Sequence, residues 1–554
     1  MSGRESAVLD FHSRRSPVYA TRGLVGASQP LAVAAGLELL AQGGNAADAA
    51  VATAAALGVT EPNSTGLGGD CFALFYSAET GQVSALNGSG RAPASLTLER
   101  LRREGFEREL PPYHPYTITV PGACAGWFDL VERHGRKPIS AILSPAIRLA
   151  EGGFPVAPVA AWAWQGGVDE QLSQAPGGQE LTIDGRAPRA GEIFRNPGLA
   201  WTMRQIAEFG REIFYQGEIA ERIAQTTQAA GGCLQASDLA VHTSTWEEPL
   251  SLDYRGVRIW ECPPNGQGLT ALLALNILEG FDLGGMDALS TQRLHLEIEA
   301  MRLAFADTRW YVADPAFTAI PVQELLSKDY AARRRGLIQP ERASLNQTYG
   351  SPTAGSDTVY LSVVDGEGNA CSFINSNYMR FGTGIVPPGL GFSLQNRGHN
   401  FSLEPQHPNA LRPGKRPYHT IIPALATRPG AAQSDAPLKE ELFACVGVMG
   451  GFMQSQGHVQ VALALVDDGL DPQAALDRPR FCLEEGQPGG GVALEEGISI
   501  ETMSRLAEMG HSVTPVSGAG RSVFGRGQVI LRDPQTGVLC GGSDPRADGC
   551  VMCY

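Results

Sequence analysis

The sequence predicts a fold that mixes α-helices with β-strands. Residues 30–42 (PLAVAAGLELLAQ) place apolar side chains at helical spacing and run into Gly43-Gly44, a pair typical of a helix C-terminus. Residues 71–77 (CFALFYS) have the composition of a strand. Residues 358–365 (TVYLSVVD) also favour a strand, and the turn DGEGN that follows predicts a β-hairpin with ACSFIN. Because both patterns recur along the chain, a mixed fold is expected.

Further segments follow the same two patterns. Residues 139–152 and 290–306 have an apolar face at helical spacing. Asn45 is placed to cap the helix that starts after it, with Asp48 in the first turn. Residues 165–200 are rich in Gly, Pro and Gln and are expected to form loops. At 554 residues the chain has room for two or three domains or one large composite domain.

Composition narrows the class of partner. The formal net charge of -15 argues against nucleic acid or an anionic membrane as a partner. No apolar stretch is long enough to cross a bilayer and no secretory signal is predicted, so the expected location is the cytoplasm. Ten scattered cysteines form no disulfide framework and should stay reduced there. Cys550 and Cys553 make one C-x-x-C pair, a weak indication of a metal or redox site.

A candidate nucleophile follows a linker. Residues 338–357 are polar and rich in Ser, Pro, Gly and Thr, and they end at Thr358, where the hairpin begins. A threonine hydroxyl needs a neighbouring base, and a free α-amine on the same residue, with a pKa of about 7.7–8.0, can serve. The chain would expose that amine by cutting itself before Thr358. The alternative is a threonine that simply starts a strand.

Two glycines suggest an oxyanion hole. Gly450 and Gly451 follow a strand pattern in GVMGGFMQSQGH, and without Cβ atoms their N–H groups can face one point. The alternative interpretation is a tight turn from strand to helix.

Four further residues are candidates for substrate binding. Arg397, in GFSLQNRGHNFS, and Arg91, in NGSGRAPAS, each offer a guanidinium that suits a substrate carboxylate. His419 and Thr420, in GKRPYHTIIP, can hydrogen-bond the reacting group or the α-amine. The alternatives are solvated arginines and a loop histidine with ordinary partners.

These motifs occur together and in a fixed order: NAADAAVA, GLGGD, NGSGRAP, VPGACAGW, AMRLAFAD, DTVYLSVVDGEGN, FGTGIV, GKRPYHTIIPA, GVMGGFMQSQGH and GGSDPRADG. The set resembles the γ-glutamyltransferase family from about residue 18 to the C-terminus. The resemblance implies an α+β fold, the αββα sandwich of the N-terminal-nucleophile hydrolases. It also implies one composite domain built from two self-cleavage fragments, residues 1–357 and 358–554, that remain associated. No metal or organic cofactor is expected.

Carried over by position, the family's catalytic roles fall on four residues. Thr358 is the nucleophile, and Gly450 and Gly451 form the oxyanion hole. Ser376 stands where the family usually has a second threonine that hydrogen-bonds the free α-amine, and it keeps the hydroxyl.

Several positions depart from the glutamyl-specific pattern. Arg91 is displaced by two residues from the family's carboxylate-binding arginine. Asn400 replaces the acidic residue that binds the substrate α-amine. His419 and Thr420 replace a pair of serines. Since an ammonium group needs a nearby anion, these differences oppose a glutamyl substrate.

Two more departures favour a different acyl group. Arg397 replaces the usual glutamine and adds a cation. The loop from residue 402 to residue 414 is short, so the lid over the glutamyl pocket is expected to be missing. The pattern is similar to the lidless branch of the family, which includes oxamate amidohydrolase and is akin to the cephalosporin acylases.

Three functions remain open at this point. The family name implies cleavage of γ-glutamyl, glutathione-type amides through an acyl-enzyme, with hydrolysis or transfer to an amino acid. The first alternative is an amidohydrolase for a small or dicarboxylic acyl amide, of the oxamate or cephalosporin acylase type. The second is a catalytically silent relative that only binds. The expected partner is a small-molecule amide, and homo-oligomer formation is left open.

Overall fold

The structure, a computed structural model, describes residues 15–345, 358–430 and 439–554 of the chain. Its strands are β1 Val18–Ala20, β2 Leu24–Ala27, β3 Asp70–Tyr76, β4 Val83–Gly88, β5 Phe154–Pro155, β6 Ile193–Phe194, β7 Thr245–Glu247, β8 Leu250–Tyr254, β9 Val257–Glu261, β10 Val359–Val364, β11 Ala370–Ser376, β12 Ala424–Pro429, β13 Glu440–Met449, β14 Phe481–Leu483, β15 Val492–Glu495, β16 Val513–Val516, β17 Arg526–Arg532, β18 Leu539–Ser543 and β19 Cys550–Cys553. Its α-helices are α1 Pro30–Ala41, α2 Ala46–Thr60, α3 Leu98–Arg103, α4 Ala123–His134, α5 Ile139–Gly152, α6 Pro158–Gly167, α7 Pro197–Phe209, α8 Glu212–Tyr215, α9 Glu218–Ala229, α10 Ala236–Ala240, α11 Gly268–Leu278, α12 Thr291–Tyr311, α13 Val322–Leu325, α14 Lys328–Arg335, α15 Met453–Val466, α16 Pro472–Asp477 and α17 Ile500–Glu508.

Two seven-stranded antiparallel sheets form the centre of the molecule. One has the strand order β1-β18-β17-β13-β12-β9-β8, and the other β19-β2-β10-β11-β3-β4-β7. Apolar side chains of both sheets, among them Phe72, Tyr360 and Ile530, fill the layer between them. Helices α1, α2 and α4 pack on the outer face of the second sheet, and α11 and α15 pack on the first. Helices α5 and α12 pack in turn on α2 and α11. The predicted αββα sandwich is therefore confirmed.

Strands from both halves of the chain enter both sheets. In the first sheet, β8 and β9 precede residue 358 and the strands β12, β13, β17 and β18 follow it. In the second sheet, β10 lies between β2 and β11, so a strand from the C-terminal part sits in the middle of the sheet. Because neither half has a complete sheet of its own, the two halves build one core.

The helix predictions near the N-terminus are confirmed. Helix α1 ends at Ala41, and Gly43 follows it with a φ of +81°. Asn45 caps α2 through a capping box, in which its side chain accepts from the Asp48 N–H and the Asp48 carboxylate accepts from the Asn45 N–H. All fifteen residues of α2 are buried, which explains its alanine-rich sequence: small side chains let α1 and α5 pack closely on both sides.

The loop prediction for residues 165–200 is wrong in part. Helix α6 continues to Gly167, a π-helical turn follows at Val168–Leu172, and α7 begins at Pro197. The glycine and proline content misled the prediction because Pro197 occupies the first turn of α7, where no N–H is required. Of the predicted linker, residues 338–345 form turns and coil, and residues 346–357 lie outside the described residues.

The ten cysteines are all free thiols in the structure. Cys550 and Cys553 lie three residues apart on β19, so their side chains point to opposite faces of the strand. That arrangement gives the C-x-x-C pair no shared metal site. Across the described residues, no helix has the length and apolarity that crossing a membrane requires.

Gly36 marks the closest approach of α1 to α2. A Cβ atom on Gly36 would lie 2.3 Å from Thr53 Oγ1 and 3.2 Å from the Ala49 carbonyl oxygen. We expect Gly36→Ala to lower the free energy of unfolding by about 1–3 kcal/mol, because the core offers no room for one more methyl group. Urea unfolding followed by circular dichroism measures this change.

The matched control is Gly152→Ala at the end of α5. A Cβ there meets no atom within 4 Å. This variant should be as stable as the wild type or slightly more stable, because alanine favours a helix over glycine. Equal losses in both variants would contradict a packing origin.

Candidate active site

Three neighbouring strands bring three polar side chains into one row. In the register of the second sheet, Val359 of β10 pairs with Asn375 of β11, and Ser376 of β11 pairs with Asp70 of β3. Thr358 precedes β10 and therefore stands opposite Ser376. Its Oγ1 lies 3.0 Å from Ser376 Oγ, and all three side chains are fully buried. The predicted nucleophile and its hydroxyl neighbour are thus joined by the hairpin itself.

Glycines of the GLGGD motif make this row possible. A Cβ on Gly69 would lie 2.3 Å from the Ser376 carbonyl oxygen, and one on Gly68 would lie 2.0 Å from the Ser393 carbonyl oxygen. Since no side chain fits at these distances, the two glycines allow the segment before β3 to pack against the end of β11 and against the backbone at Ser393. Asp70 follows Gly69 directly, and its carboxylate lies beside Ser376 at the site.

Arg397 supplies a buried positive charge beside this row. It starts a short 3₁₀ turn and has no solvent exposure. Its Nη1 donates to Thr420 Oγ1 at 2.7 Å, and its Nη2 donates to Ser376 Oγ at 3.2 Å. The guanidinium carbon lies 4.2 Å from the centre of the Tyr378 ring. Burial lowers the pKa of Arg397 to about 10, so the side chain remains a cation at neutral pH.

The buried carboxylate of Asp70 interacts electrostatically with this cation. Its Oδ1 accepts from the N–H groups of Gly90 and Gly122 and from Gln395 Nε2, and its Oδ2 accepts from His419 Nε2 at 3.0 Å. Burial raises the pKa of Asp70 to about 6, and the arginine charge and these donors limit the rise. Desolvation holds the pKa of His419 well below its usual range, so the imidazole is neutral and donates to Asp70.

The turn after β13 has the features of an oxyanion hole. Gly450 and Gly451 have φ angles of +127° and +60°, which side chains rarely adopt. Within the part of the chain that the structure describes, their two N–H groups meet no hydrogen-bond acceptor. The Gly451 carbonyl accepts from Gln267 Nε2 at 2.9 Å, which fixes the turn. Both N–H groups are thus left for a ligand.

Gln454 connects this turn to the predicted nucleophile. It lies in the first turn of α15, fully buried, and its N–H donates to the Gly451 carbonyl. Its Oε1 accepts from the Ile422 N–H at 2.9 Å, and its Nε2 lies 3.4 Å from Thr358 Oγ1. The glycine turn and the hydroxyl therefore belong to one site.

The remaining predicted residues lie at different distances from the hydroxyl. Thr420 touches Arg397, and His419 acts one step back, through Asp70. Asn400 accepts from Tyr378 Oη at 2.6 Å and donates to the Tyr418 carbonyl at 3.1 Å.

Arg91 lies outside this cluster. Its Nη1 donates to the Thr243 carbonyl at 3.1 Å. Within the described ranges it has no hydrogen bond or ion pair with Thr358, Ser376 or Arg397. Its role in substrate binding stays a prediction.

An open cavity of about 750 Å³ borders the glycine turn. Its lining includes Gly450, Phe452 and Met453 together with the exposed side chains of Trp162 and Val523. This size suits a ligand larger than a single amino acid.

One group among the described residues has the composition of a metal site, His295, Glu299 and His511. These side chains already have partners. His295 Nδ1 and His511 Nε2 are 2.9 Å apart, and the Glu299 carboxylate pairs with Arg302 at 3.3 Å. The group makes no hydrogen bond to the residues around Thr358 in the described structure. The expectation that catalysis uses no metal stays a prediction.

Asp70 and Gln454 are two site residues that could not be assigned from the sequence. Both stand inside motifs of that sequence, GLGGD and GGFMQSQGH. A buried acid directly after a glycine pair at a strand start was the available signal for Asp70. Gln454 gave no such signal, because its amide reaches Thr358 only through the packing of α15 on β13.

Comparison with known proteins places the chain in a family. The γ-glutamyltranspeptidase family model matches residues 32–554. A glutathione hydrolase-like proenzyme, YwrD of Bacillus subtilis, is 36% identical over 97% of this chain and 99% of its own. The oxamate amidohydrolase proenzyme of Klebsiella pneumoniae is 35% identical over 96% and 99%. The crystal structure of cephalosporin acylase from Bacillus halodurans superposes with a TM-score of 0.89, at 47% identity and 99% coverage of both chains.

The fold, shared with this solved relative, is that of the N-terminal-nucleophile hydrolases. The chain belongs to the γ-glutamyltranspeptidase family. It is an enzyme that acts on amide bonds, like the relatives named glutathione hydrolase, oxamate amidohydrolase and acylase.

The raised pKa of Asp70 predicts how stability changes with pH. The folded protein holds the Asp70 proton up to about pH 6, whereas the unfolded chain releases it near pH 4. Between these values the folded state binds more protons, so the Asp70 contribution to stability is lost as pH rises. From pH 5 to pH 7 the loss should be roughly 1 kcal/mol.

Urea unfolding of wild type and Asp70→Asn at pH 5, 6 and 7 measures this effect. Asparagine keeps the shape and cannot ionise, so the stability of wild type relative to the variant should fall as pH rises. A difference that stays constant, or that grows with pH, would contradict a raised pKa.

Proposed function

We propose that this enzyme cuts itself before Thr358 and then hydrolyses amides whose acyl part carries a carboxylate but no ammonium group. The observation that carries the proposal is the buried guanidinium of Arg397, which shares the Ser376 hydroxyl with Thr358. A cation so close to the hydroxyl is a binding site for an anionic acyl group.

Self-cleavage starts from the Thr358 hydroxyl. Its oxygen attacks the carbonyl carbon of residue 357, the peptide nitrogen becomes the free α-amine, and an ester links residue 357 to the hydroxyl oxygen. Water then hydrolyses the ester, leaving a carboxylate on residue 357 and the hydroxyl on Thr358. The products are residues 1–357 and 358–554, held together by the shared sheets.

Amide hydrolysis reuses the same oxygen. The α-amine takes the hydroxyl proton as the oxygen attacks the substrate carbonyl, and the N–H groups of Gly450 and Gly451 stabilise the negative oxygen. The C–N bond breaks, and the α-ammonium gives its proton to the leaving amine. Water, activated by the same α-amine, hydrolyses the acyl-enzyme ester and releases the acid.

Arg397 has donors left for a substrate carboxylate. The guanidinium has five N–H donors, and it donates two hydrogen bonds, one to Thr420 and one to Ser376. Its Nε has no hydrogen-bond partner among the described residues. Through Ser376 the guanidinium lies within about 6 Å of the hydroxyl oxygen, so a short dicarboxylic acyl group spans the two. Oxamate-type and glutaryl-type amides have this form.

Asn400 argues against a substrate ammonium group. Its amide is engaged by Tyr378 and by the Tyr418 carbonyl, and it carries no charge to balance an ammonium. γ-Glutamyl amides remain the second candidate, because relatives at 36% and 30% identity are named glutathione hydrolase-like and glutathione hydrolase.

The first test is self-cleavage. Purified wild type should show fragments of about 38 and 21 kDa on a denaturing gel, in proportion to residues 1–357 and 358–554 of the 58.7 kDa chain. Intact mass should place the start of the smaller fragment at Thr358. Thr358→Ala should remain one chain, because it lacks the attacking oxygen. A folded wild type that stays whole would instead support a relative that only binds.

The second test compares two anilides that differ only in the amine. Glutaryl-p-nitroanilide should be hydrolysed with a kcat/KM about tenfold or more above that of γ-glutamyl-p-nitroanilide, because the site offers no anion for the ammonium. Asn400→Asp should raise the relative kcat/KM for the γ-glutamyl compound about tenfold, since it restores that anion.

Asn400→Ala serves as its control. This change removes the amide without adding a charge and should leave the ratio of the two substrates unchanged. A wild-type enzyme that prefers the γ-glutamyl compound would overturn the proposed acyl specificity and favour the second candidate.

A further inference from the structure

The Thr358 hydroxyl oxygen lies between two side chains that can donate to it. Ser376 Oγ lies at 3.0 Å and Gln454 Nε2 at 3.4 Å. Ser376 itself accepts from Arg397 Nη2 at 3.2 Å and from the Tyr378 N–H at 2.9 Å. Either hydroxyl can be the donor in the contact between Ser376 and Thr358, whereas the Gln454 NH₂ can only donate to the Thr358 oxygen.

The orientation of the Gln454 amide is fixed by its second contact. Its Oε1 accepts from the Ile422 N–H at 2.9 Å, so the NH₂ end must face Thr358. The side chain is fully buried at the start of α15, three residues beyond Gly451. The amide therefore reaches the hydroxyl oxygen from the same turn that presents the oxyanion-hole N–H groups.

We propose that Gln454 is a further catalytic residue, which donates to the Thr358 oxygen and stabilises the negative charge that develops there as the proton leaves. The inference rests on the proposed function, in which that oxygen is the nucleophile. Because the Gln454 NH₂ donates to the Thr358 oxygen and takes no proton from it, the contact leaves the hydroxyl proton available to the base. The same contact serves self-cleavage and amide hydrolysis, because both begin with this oxygen.

A neighbouring glutamine shows what a structural role looks like. Gln456 is equally buried in α15, but its Oε1 accepts from the Leu483 N–H at 2.7 Å and its Nε2 donates to the Leu483 and Phe452 carbonyls. It ties α15 to β14, and in the described structure it makes no hydrogen bond to Thr358. Gln456→Met is thus a matched control for Gln454→Met, with the same side-chain exchange on the same helix.

The experiment follows self-cleavage of the full chain after rapid refolding, by densitometry of denaturing gels. Gln454→Met keeps the volume of the side chain and loses the donor, and Gln454→Glu keeps the acceptor for the Ile422 N–H. Both should slow cleavage about 10- to 100-fold, a smaller effect than the loss of an oxyanion-hole donor because the contact is long. Gln456→Met should cleave at the wild-type rate once folded, and circular dichroism confirms folding.

Steady-state kinetics of the fragments that do form give the second readout. With glutaryl-p-nitroanilide, Gln454→Met should lower kcat about tenfold or more with KM nearly unchanged, because its donor acts in the transition state. If wild type cleaves at Thr358 and both Gln454 variants match it in rate and kcat, the role of Gln454 is overturned while the proposed function stands. If wild type does not cleave at all, the proposed function itself fails.

Discussion

A buried positive charge is the constraint on which the site depends. Arg397 has no contact with solvent, and a guanidinium in such surroundings requires hydrogen bonds and a nearby anion. Asp70 supplies that anion, although burial raises its own pKa to about 6. Four donors keep Asp70 ionised at neutral pH, among them His419, whose imidazole is neutral for the same reason of burial. Arg397 thus depends on the charge of Asp70, and Asp70 depends on its four hydrogen-bond donors.

The register of the second sheet sets the positions of the side chains around this charge pair. Asp70 and Ser376 lie at paired positions on β3 and β11, and Thr358 stands opposite Ser376 directly before β10. Their side chains share one face, and their spacing follows from the backbone pairing of the three strands. A shift of one residue would turn Ser376 away from both of its neighbours. The strands come from both sides of residue 358, and the same hydrogen bonds that join these two parts of the chain therefore hold the site.

Local rules explain how much of the structure could be predicted. The helix cap at Asn45, the hairpin after residue 358 and the glycine turn at 450–451 depend on neighbours within a few residues, and these predictions agree with the structure. The glycine- and proline-rich stretch at 165–200 contains helical turns because packing overrode its weak local preference. The contacts of Arg91 could not be predicted from its local sequence either. Its motif is close to the family pattern, yet its side chain donates to the Thr243 carbonyl.

The sequence by itself determined the family, the mixed fold and the candidates Thr358, Gly450 and Gly451, because ordered motifs and turn preferences depend only on residues close together in the sequence. Only the tertiary structure decided which groups surround the hydroxyl. Asp70 and Gln454 are 288 and 96 residues away from Thr358 along the chain, and no local pattern encodes a contact over such separations. Those contacts arise when two sheets and two helical layers close around one core, and packing then fixes where each buried side chain can find a partner.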